Sequence, residues 1–417
     1  MASSTIARKN LFEDPIRFLV AQAGILFAVS LVTIQLGILK GFLRSTSMLV
    51  EYSSADLWVA NKDLVHFELV SSLPAEYLKK ATEVPGVEKT EVVLLRAGRW
   101  RDPKGNLSTV RIIGFNPEGQ MFARWPMGEG QLASLNQSYK VLVDRASLAS
   151  LDVSKVGDQA TIGNLPLEIV GLTEDTKSTA SSAFVFASLE TANAYSLAEL
   201  SSNITCRRLP DNSTDCSNQF SNAPRDRNLP APEPRRLNLS DPITYILIKA
   251  KSGEDLEQLR TKLAQAMPDT VVYTRKELSE KTRNYWEVRT SVGFILGFGA
   301  VVGFVVGMVI VGQILYASVA DHLREFGTLK AMGASNWVIY SIILEQALWM
   351  SVLGYIPSMA LCFALSAWTL KAKGVMILIE PTTAAGVFVL TVVMCVGSAL
   401  FAVQRVTRVD PAIVFKA

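Results

Sequence analysis

The sequence of 417 residues has few of the side chains that build catalytic or metal sites. It contains two histidines, His66 and His322, far apart in the chain, and four cysteines that lack the spacing of zinc ligands. It has no G-x-x-x-x-G-K-S/T phosphate loop, no nucleophile elbow and no HExxH motif. The sequence therefore predicts a chain that is not an enzyme, hydrolyses no nucleotide by itself, and binds neither a metal nor a cofactor.

An excess of charge of one sign is also missing. Lys and Arg number 41 against 38 Asp and Glu, a net charge of +3. This balance gives no electrostatic basis for binding nucleic acid. Hydrophobic residues make up 49% of the chain and charged residues 19%, which is typical of a membrane protein with a large water-exposed part.

Four stretches are apolar enough to cross a bilayer, which takes roughly 20 residues. Residues 18–39, 291–319 and 381–404 contain no charged side chain, and residues 338–370 contain only Glu345. Basic residues precede the first stretch and follow the last, so both termini are expected in the cytoplasm. A cleaved signal peptide is the alternative for the first stretch, but its length and the lack of a small-x-small site favour an uncleaved helix.

Two features of the spans are candidate functional sites. Glu345 is a carboxylate inside a span, which is costly and often functional. We interpret it as a structural group that helps dock the neighbouring polar segment, with proton coupling as the alternative. Small-x-x-x-small spacing lets membrane helices approach closely and predicts a homodimer contact through Gly293, Gly297, Gly303 and Gly307. The general tolerance of membrane helices for glycine is the alternative.

The segment between the first and second spans has no stretch that could cross a membrane, and it predicts a large extracytoplasmic α+β domain. Its beginning and end each have the pattern strand, helix, strand. Residues 44–115 and 241–287 are therefore predicted to pack as one domain. Residues 116–240 alternate short strands with glycine turns and predict an inserted β-rich subdomain. Two unrelated small modules are the alternative.

Two cysteines, Cys206 and Cys216, lie in residues 201–234, which are rich in Ser, Asn, Pro and Arg and predict a mobile loop. In an oxidising compartment two nearby cysteines favour a disulfide, and two free thiols are the alternative. Cys362 and Cys395 lie in apolar runs, and we interpret them as small packing residues.

A short polar segment, residues 320–335, separates the second and third spans. Its apolar residues recur every third position and predict an amphipathic helix with one apolar stripe, formed by Leu323, Phe326, Leu329 and Met332. An amphipathic helix between two spans lies along the membrane surface. A soluble partner on that side of the membrane could grip it.

The connector sequence carries a family resemblance. Residues 324–335, REFGTLKAMGAS, resemble the corresponding segment of the MacB/FtsX family of ABC transporter permeases (type VII), in which isoleucine is common at the position of Phe326. The order of one span, a large extracytoplasmic domain and three further spans also resembles that family. Residues 23–28 (AGILFA) and 35–37 (QLG) look most like the DevC-type permeases of cyanobacteria, which lack a fused ATPase.

This resemblance implies a fold class: an α-helical membrane protein with four transmembrane helices plus a large extracytoplasmic α+β domain, made of split porter-like β-α-β units with an inserted β-rich sabre-like subdomain. The implied division is a cytoplasmic N-terminal segment (1–17), transmembrane helix 1 (18–43), the porter-like domain (44–115 and 241–287), the sabre-like subdomain (116–240), transmembrane helix 2 (288–319), a cytoplasmic coupling helix (320–336), transmembrane helices 3 (337–370) and 4 (381–404), and a cytoplasmic tail (405–417).

The resemblance also implies partners. The coupling helix would sit in a separate ABC ATPase, contacted through Arg324, Glu325, Gly327, Leu329, Lys330 and Gly333. A homodimer of the chain would bind two ATPase copies, which would hold ATP and Mg. At the bacterial cytoplasmic (inner) membrane, the outer domain would dock a periplasmic membrane-fusion adaptor and, through it, a TolC-like outer-membrane channel, so that transmitted motion drives efflux.

Other functions share this topology. An FtsX-like regulator would activate a cell-wall hydrolase and export nothing, and a Lol-like extractor would remove lipoproteins from the membrane. The inserted β-rich subdomain favours the exporter, because a regulator needs only a small outer docking surface. A membrane-anchored enzyme is the fourth alternative, and the missing catalytic motifs argue against it.

Overall fold

The structure, a computed structural model, describes residues 14–199, 202–208, 214–220 and 231–407. The helices in this part are α1 (Pro15–Tyr52), α2 (Glu76–Glu83), α3 (Leu189–Glu199), α4 (Leu256–Ala266), α5 (Arg275–Arg289), α6 (Ser291–Asp321), α7 (Leu323–Ala331), α8 (Asn336–Lys373) and α9 (Pro381–Thr407). The strands are β1 (Leu57–Asn61), β2 (Leu73–Pro74), β3 (Val87–Arg101), β4 (Leu107–Phe115), β5 (Met127–Glu129), β6 (Lys140–Asp144), β7 (Gln159–Ile162), β8 (Leu165–Thr173), β9 (Ala183–Ser188), β10 (Ser202–Arg208), β11 (Thr214–Phe220), β12 (Pro242–Ile243), β13 (Tyr245–Ala250) and β14 (Thr270–Thr274).

The chain divides into two compact units. The membrane unit comprises Met1–Gly41 and Thr290–Ala417, and the outer unit comprises Phe42–Arg289. Among the described residues, four helices are long and apolar enough to cross a membrane: Pro15–Tyr52, Ser291–Asp321, Trp337–Leu370 and Pro381–Leu400. The predicted fold class, with four such helices and a large α/β domain, is confirmed.

Small residues set the packing of the membrane helices. A Cβ atom added at Gly303 of α6 would lie 3.2 Å from Leu31 Cδ2 of α1, and one added at Gly307 would lie 2.4 Å from Met394 Sδ of α9 and 2.6 Å from Ala28 Cβ. These two glycines therefore let α6 approach α1 and α9 of the same chain. A Cβ at Gly297 would meet nothing within 4 Å.

At two of the four predicted dimer positions, the glycine packs against helices of the same chain. Gly303 and Gly307 are buried in this packing, whereas Gly293 and Gly297 are only half-buried. The homodimer contact stays a prediction, and Gly293 and Gly297 are the positions that remain accessible to a second copy.

An extended segment, residues 374–380, lies between α8 and α9 and packs on α1. The backbone amide of Leu378 donates a hydrogen bond of 2.9 Å to the carbonyl oxygen of Gly37. A Cβ at Gly41 would lie 1.9 Å from the carbonyl oxygen of Met376, and one at Gly37 would lie 2.6 Å from Ile377 Cγ2. Two glycines one helical turn apart therefore let an extended backbone lie directly against α1.

Two ion pairs mark opposite ends of α1. Arg17, near the start of α1, pairs with Asp321 at the end of α6. Lys40 Nζ lies 3.1 Å from a carboxylate oxygen of Glu380, just before α9. At a rise of 1.5 Å per residue, the two positions on α1 are about 35 Å apart, close to the thickness of a bilayer. The connector between α6 and α8 and the 374–380 segment therefore lie at opposite ends of the membrane unit.

In the outer unit, ten of the described strands form one sheet in the order β14-β1-β13-β3-β4-β9-β6-β8-β5, with β7 pairing β3 and β8. The 15-residue strand β3 joins its two halves, because its first half pairs with β13 and its second half with β4. The strands of the first and last β-α-β units, β1, β3, β13 and β14, are neighbours in the sheet. The other strands of this sheet continue it on the other side of β3, while β10–β11 and β12–β2 form separate two-stranded sheets.

Alternation of side chains along the strands gives this sheet two buried faces. In β1, Leu57 and Val59 face a cluster that includes Ala81 of α2 and Leu259 of α4. Trp58, between them, faces the opposite cluster, which includes Leu49 of α1 and Leu278 of α5. Residues two apart on a strand share a face, so a strand that is apolar at every position is covered on both sides.

The boundary expected between residues 44–115 and 116–240 does not coincide with a break in the sheet. Strand β4 lies before it, yet β4 pairs in parallel with β9, which lies after it. The division into a porter-like domain and an inserted subdomain stays a prediction.

The segment around Cys206 and Cys216, expected to be a loop, contains the antiparallel hairpin β10–β11. The register places Cys206 directly opposite Cys216. Opposite residues on paired strands have Cα atoms about 4.5–5.5 Å apart, within the range that a disulfide spans. The disulfide stays a prediction. Cys362 and Cys395, by contrast, are free and buried among the membrane helices.

Candidate functional site

The connector between α6 and α8 contains a short separate helix, as the sequence predicts. His322 ends α6 and precedes α7: its amide donates to the Ser318 carbonyl oxygen (3.3 Å), and its carbonyl oxygen accepts from the Phe326 amide (3.1 Å). Its ring Nδ1 also lies 2.8 Å from the Ser318 oxygen. With φ −93° and ψ 16°, His322 leaves helical geometry, so α7 takes its own direction.

A glycine turn ends α7. Met332 donates to the Thr328 carbonyl oxygen (3.0 Å) and Gly333 to that of Lys330 (3.0 Å). Gly333 has a φ of 92°, a conformation that residues with a Cβ atom rarely adopt. Ser335 then precedes α8, and its carbonyl oxygen accepts from the Val338 amide at 3.0 Å. The connector is therefore fixed at both ends by backbone hydrogen bonds.

One side of α7 is fastened to the membrane helices. Phe326 is 3% exposed and belongs to the apolar cluster that includes Val319 of α6 and Ile339 of α8. Gly327 beside it is also buried. Burying a phenylalanine side chain contributes roughly 1.5–3 kcal/mol. Phe326 therefore connects any displacement of α7 to both neighbouring spans.

The opposite side of the connector is open. Glu325 and Gly333 are exposed, and Lys330 is half-buried. Met332 is 72% exposed, and Trp337, the second residue of α8, is 80% exposed. An exposed methionine and tryptophan beside charged groups make a surface typical of protein recognition, since aromatic residues and methionine are enriched at interfaces.

Met332 corrects the apolar stripe predicted from the sequence. Helix α7 ends at Ala331, with Met332 as its C-cap. Phe326 is buried and Met332 is exposed, so these two residues of the predicted stripe do not share one buried face.

The remaining predicted site residues divide into two groups. The side chains of Arg324 and Leu329 lie outside the described part, so their contacts with an ATPase stay predictions. Glu345 is half-buried in α8, between the exposed Leu344 and the buried Gln346, and its docking role also stays a prediction. Sequence reasoning missed Trp337, because it stands inside an apolar run that was counted with the third span.

No group of three or more His, Cys, Asp or Glu side chains that could hold a metal ion occurs among the residues that the structure describes. The connector combines a defined geometry with exposed apolar and charged groups.

Comparisons with known proteins cover both units. Residues 18–266 match the MacB-like periplasmic core domain, and residues 297–411 match the FtsX-like permease C-terminal domain. An uncharacterised ABC transporter permease of Methanocaldococcus jannaschii is 25% identical over 123 residues, which cover 28% of this chain and 30% of that protein. The match therefore spans less than a third of the length of that relative.

Solved structures resemble about half of the chain weakly. The periplasmic region of MacB from Actinobacillus actinomycetemcomitans is 10% identical, with a TM-score of 0.35, over 56% of this chain and 96% of that one. The extracellular domain of the noncanonic ABC-type transporter YknZ from Gram-positive bacteria is 10% identical, with a TM-score of 0.33, over 53% of this chain and 99% of that one. At these scores the likenesses carry no argument of their own.

The family assignment rests on the sequence matches. The MacB-like periplasmic core domain alone spans more than half of the chain, and the FtsX-like match covers α7 and the two helices that follow it. With four helices able to span a membrane and a periplasmic-type domain between the first two, the chain is a membrane protein with an extracytoplasmic domain. It belongs to the MacB/FtsX family of ABC transporter permeases.

Proposed function

We propose that this chain is the permease subunit of an ABC-type exporter and that α7 is its coupling helix, seated in a separate ATPase. The observation that carries the proposal is a contrast in exposure. Phe326 is 3% exposed, whereas Met332 and Trp337 are 72% and 80% exposed. One side of the connector is fixed to the membrane helices, and the other presents a surface for a soluble protein.

The geometry favours transmission of motion over passage of cargo within one chain. Helix α7 is held at both ends. A displacement of α7 by the ATPase would therefore move α6 and α8 and would not be lost in a flexible loop. Movement of α6 reaches the outer unit through the chain, because α5 ends at Arg289 and α6 begins at Ser291. Mechanotransmission of this kind needs no ionisable ladder across the membrane.

The finer assignments follow from the family resemblance. The functional unit would be a homodimer with two ATPase copies, which would bind ATP and Mg, since the sequence has no phosphate loop of its own. A DevC-type exporter would sit in the cell inner membrane with both termini in the cytoplasm. Its outer unit would dock a periplasmic adaptor and a TolC-like outer-membrane channel for efflux.

Co-purification with a separate ATPase tests this proposal. The chain purified alone is expected to hydrolyse no ATP, and the complex with its ATPase is expected to hydrolyse it. Met332→Asp places a charge on the exposed apolar surface and is expected to lower the yield of the complex at least about ten-fold, equivalent to 1.4 kcal/mol. Leu107→Asp, at an exposed position (60%) in β4, is the matched control.

Two results would contradict the coupling assignment: ATP hydrolysis by the chain alone, or equal yields of complex from the Met332→Asp and Leu107→Asp variants. The outer partner separates the exporter from the alternatives. Capture of a hairpin-bearing adaptor supports export, capture of a cell-wall hydrolase supports an FtsX-like regulator, and a bound lipid-modified protein supports a Lol-like extractor.

A further inference from the structure

One loop of the outer unit carries apolar side chains that the protein leaves exposed. The His66 loop, residues 62–72, follows β1 and is largely buried at Leu64, His66 and Phe67. Val65, between Leu64 and His66, is 40% exposed, and Leu69, two residues after Phe67, is 51% exposed. The exposed side chains of Val65 and Leu69 therefore belong to a loop that is otherwise packed against the outer unit.

Backbone hydrogen bonds fix the conformation of the loop. The Val65 amide donates to the Leu69 carbonyl oxygen (3.0 Å), and the Leu69 amide donates to that of His66 (2.9 Å). The Phe67 amide donates to Thr282 Oγ1 of α5 (3.1 Å), and the Tyr245 hydroxyl donates to the Phe67 carbonyl oxygen (2.6 Å). Val65 and Leu69 are thus held outward by structure and are not tips of a free chain.

An ion pair between the buried Glu68 and the partly exposed Arg111 holds the loop. Glu68 has a side chain only 4% exposed, and one of its carboxylate oxygens lies 3.2 Å from Arg111 Nε of β4 and accepts from the Ser181 hydroxyl. Burial raises the pKa of Glu68, while Ser181 and Arg111 act in the opposite direction. Removing Arg111 would leave the buried Glu68 carboxylate without its charged partner, so this ion pair helps to fasten the loop.

The loop rests on the aromatic residues that border the second span. The His66 ring stacks on Tyr285 with 4.5 Å between ring centroids and lies 5.4 Å from the ring of Trp286. Tyr285 and Trp286 lie at the end of α5, close to Ser291, where α6 begins. Tyr and Trp are enriched where membrane helices leave the hydrocarbon. Trp286 also meets Phe42 of α1 edge-on at 6.0 Å, just after the first apolar run.

His66 makes this contact as a neutral ring. Its Nδ1 accepts a hydrogen bond of 3.3 Å from the Glu68 amide. Burial, with Arg111 nearby, lowers the pKa of His66 to about 4. A neutral imidazole stacked on tyrosine adds no charge to the membrane-proximal side of the loop. Val288, in the last turn of α5, adds an apolar side chain that is 80% exposed.

We infer that the His66 loop is a membrane-contact loop, whose Val65 and Leu69 enter the outer leaflet of the bilayer. Lipid is the occupant because the loop packs on Tyr285 and Trp286, which come just before the second span in the sequence, and Tyr and Trp are enriched at membrane interfaces. Two of the three charged groups of the loop agree with this placement. Lys62 pairs with Asp269 at the base of the loop, and Glu68 points inward to Arg111, so neither needs to enter the lipid. Asp63 is exposed next to Lys62, and its carboxylate accepts a hydrogen bond of 3.4 Å from the Ser71 hydroxyl.

Quenching by spin-labelled lipid tests the inference on the full chain. Val65→Cys and Leu69→Cys would be made separately with Cys206→Ser and Cys216→Ser, and labelled with bimane; Cys362 and Cys395 are buried. The labelled protein would be placed in nanodiscs of phosphatidylethanolamine and phosphatidylglycerol, with or without phosphatidylcholine that carries a doxyl group near its headgroup. Leu107→Cys, 60% exposed in β4, is the matched control.

Doxyl lipid is expected to quench bimane at residues 65 and 69 at least about two-fold more than at residue 107, because only the loop contacts the leaflet. Aqueous iodide is expected to show the reverse order. Equal lipid quenching at all three positions, with free access of iodide, would overturn the inference. Protection of residues 65 and 69 from both quenchers would also overturn it, since that result indicates a protein partner.

Discussion

Gly333→Val is expected to lower the stimulation of the partner ATPase by this permease at least about ten-fold, with basal ATPase activity unchanged. Gly333 has a φ of 92°, where a residue with a Cβ atom is disfavoured by roughly 1–2 kcal/mol and a β-branched residue is a clear outlier. The turn that ends α7 would then reorganise. A ten-fold change corresponds to about 1.4 kcal/mol, which lies within the range of this strain.

A second glycine supplies a matched control for backbone strain. Gly105, in the turn between β3 and β4, has a φ of 97°, and a Cβ there, like one at Gly333, would meet nothing within 4 Å. Gly105→Val therefore introduces similar strain at a site in the outer unit. We expect it to leave stimulation near the wild-type value. If Gly333→Val stimulated the ATPase as well as Gly105→Val does, the coupling role of this turn would be wrong.

Gly41→Val is expected to destabilise the membrane unit by about 3 kcal/mol, at the upper end of the cost of overpacking. A Cβ at Gly41 would lie 1.9 Å from the Met376 carbonyl oxygen and 2.9 Å from its carbon. Because these are backbone atoms, no rotamer change relieves the clash. The 374–380 segment would leave α1, with loss of the hydrogen bond from Leu378 to Gly37.

Thermal unfolding of the detergent-solubilised chain measures this effect. A loss of 3 kcal/mol corresponds to a decrease in Tm of roughly 6–12 °C for a unit of this size. Gly386→Val in α9 is the control, since a Cβ there would meet nothing within 4 Å. Equal Tm values for the Gly41→Val and Gly386→Val variants would show that the close approach of the 374–380 segment does not stabilise the fold.

Much of the membrane architecture could be predicted from the sequence because it depends on composition over long windows. Residues 18–39 and 291–319 contain no charge, and a bilayer of fixed thickness converts such runs into helices. The strands at the start and end of the outer unit could also be predicted from the sequence, since their apolar runs are short and bounded by turn residues.

Other features depend on contacts between segments far apart in sequence. Residues 375–380 have the composition of an apolar loop, and nothing in them indicates that their backbone packs on Gly37 and Gly41. Strand β3 joins both halves of the sheet because it is 15 residues long, a length that its local pattern did not predict. The polar composition of residues 201–234 hid the β10–β11 hairpin, whose strands are defined by their pairing with each other.

In the candidate site, too, some features depend on local sequence and others on contacts between distant segments. The amphipathic helix of the connector could be predicted, because it depends on local sequence, whereas the turn at Gly333, where φ is 92°, was not predicted. The exposure of Met332 could not be predicted from a count of every third residue, since the count ignores where α7 ends. The burial of Gly303 and Gly307 against α1 and α9 depends on how the four helices pack, which a glycine spacing alone does not specify.

The account depends most on the side of the membrane that the connector faces, and thiol accessibility in spheroplasts measures this directly. In the Cys206→Ser, Cys216→Ser background, Leu107→Cys and Met332→Cys would each be treated with a membrane-impermeant maleimide; both positions are exposed, at 60% and 72%. The account predicts that Leu107→Cys is labelled in intact spheroplasts and Met332→Cys only after permeabilisation. Labelling of Met332→Cys in intact spheroplasts would contradict it.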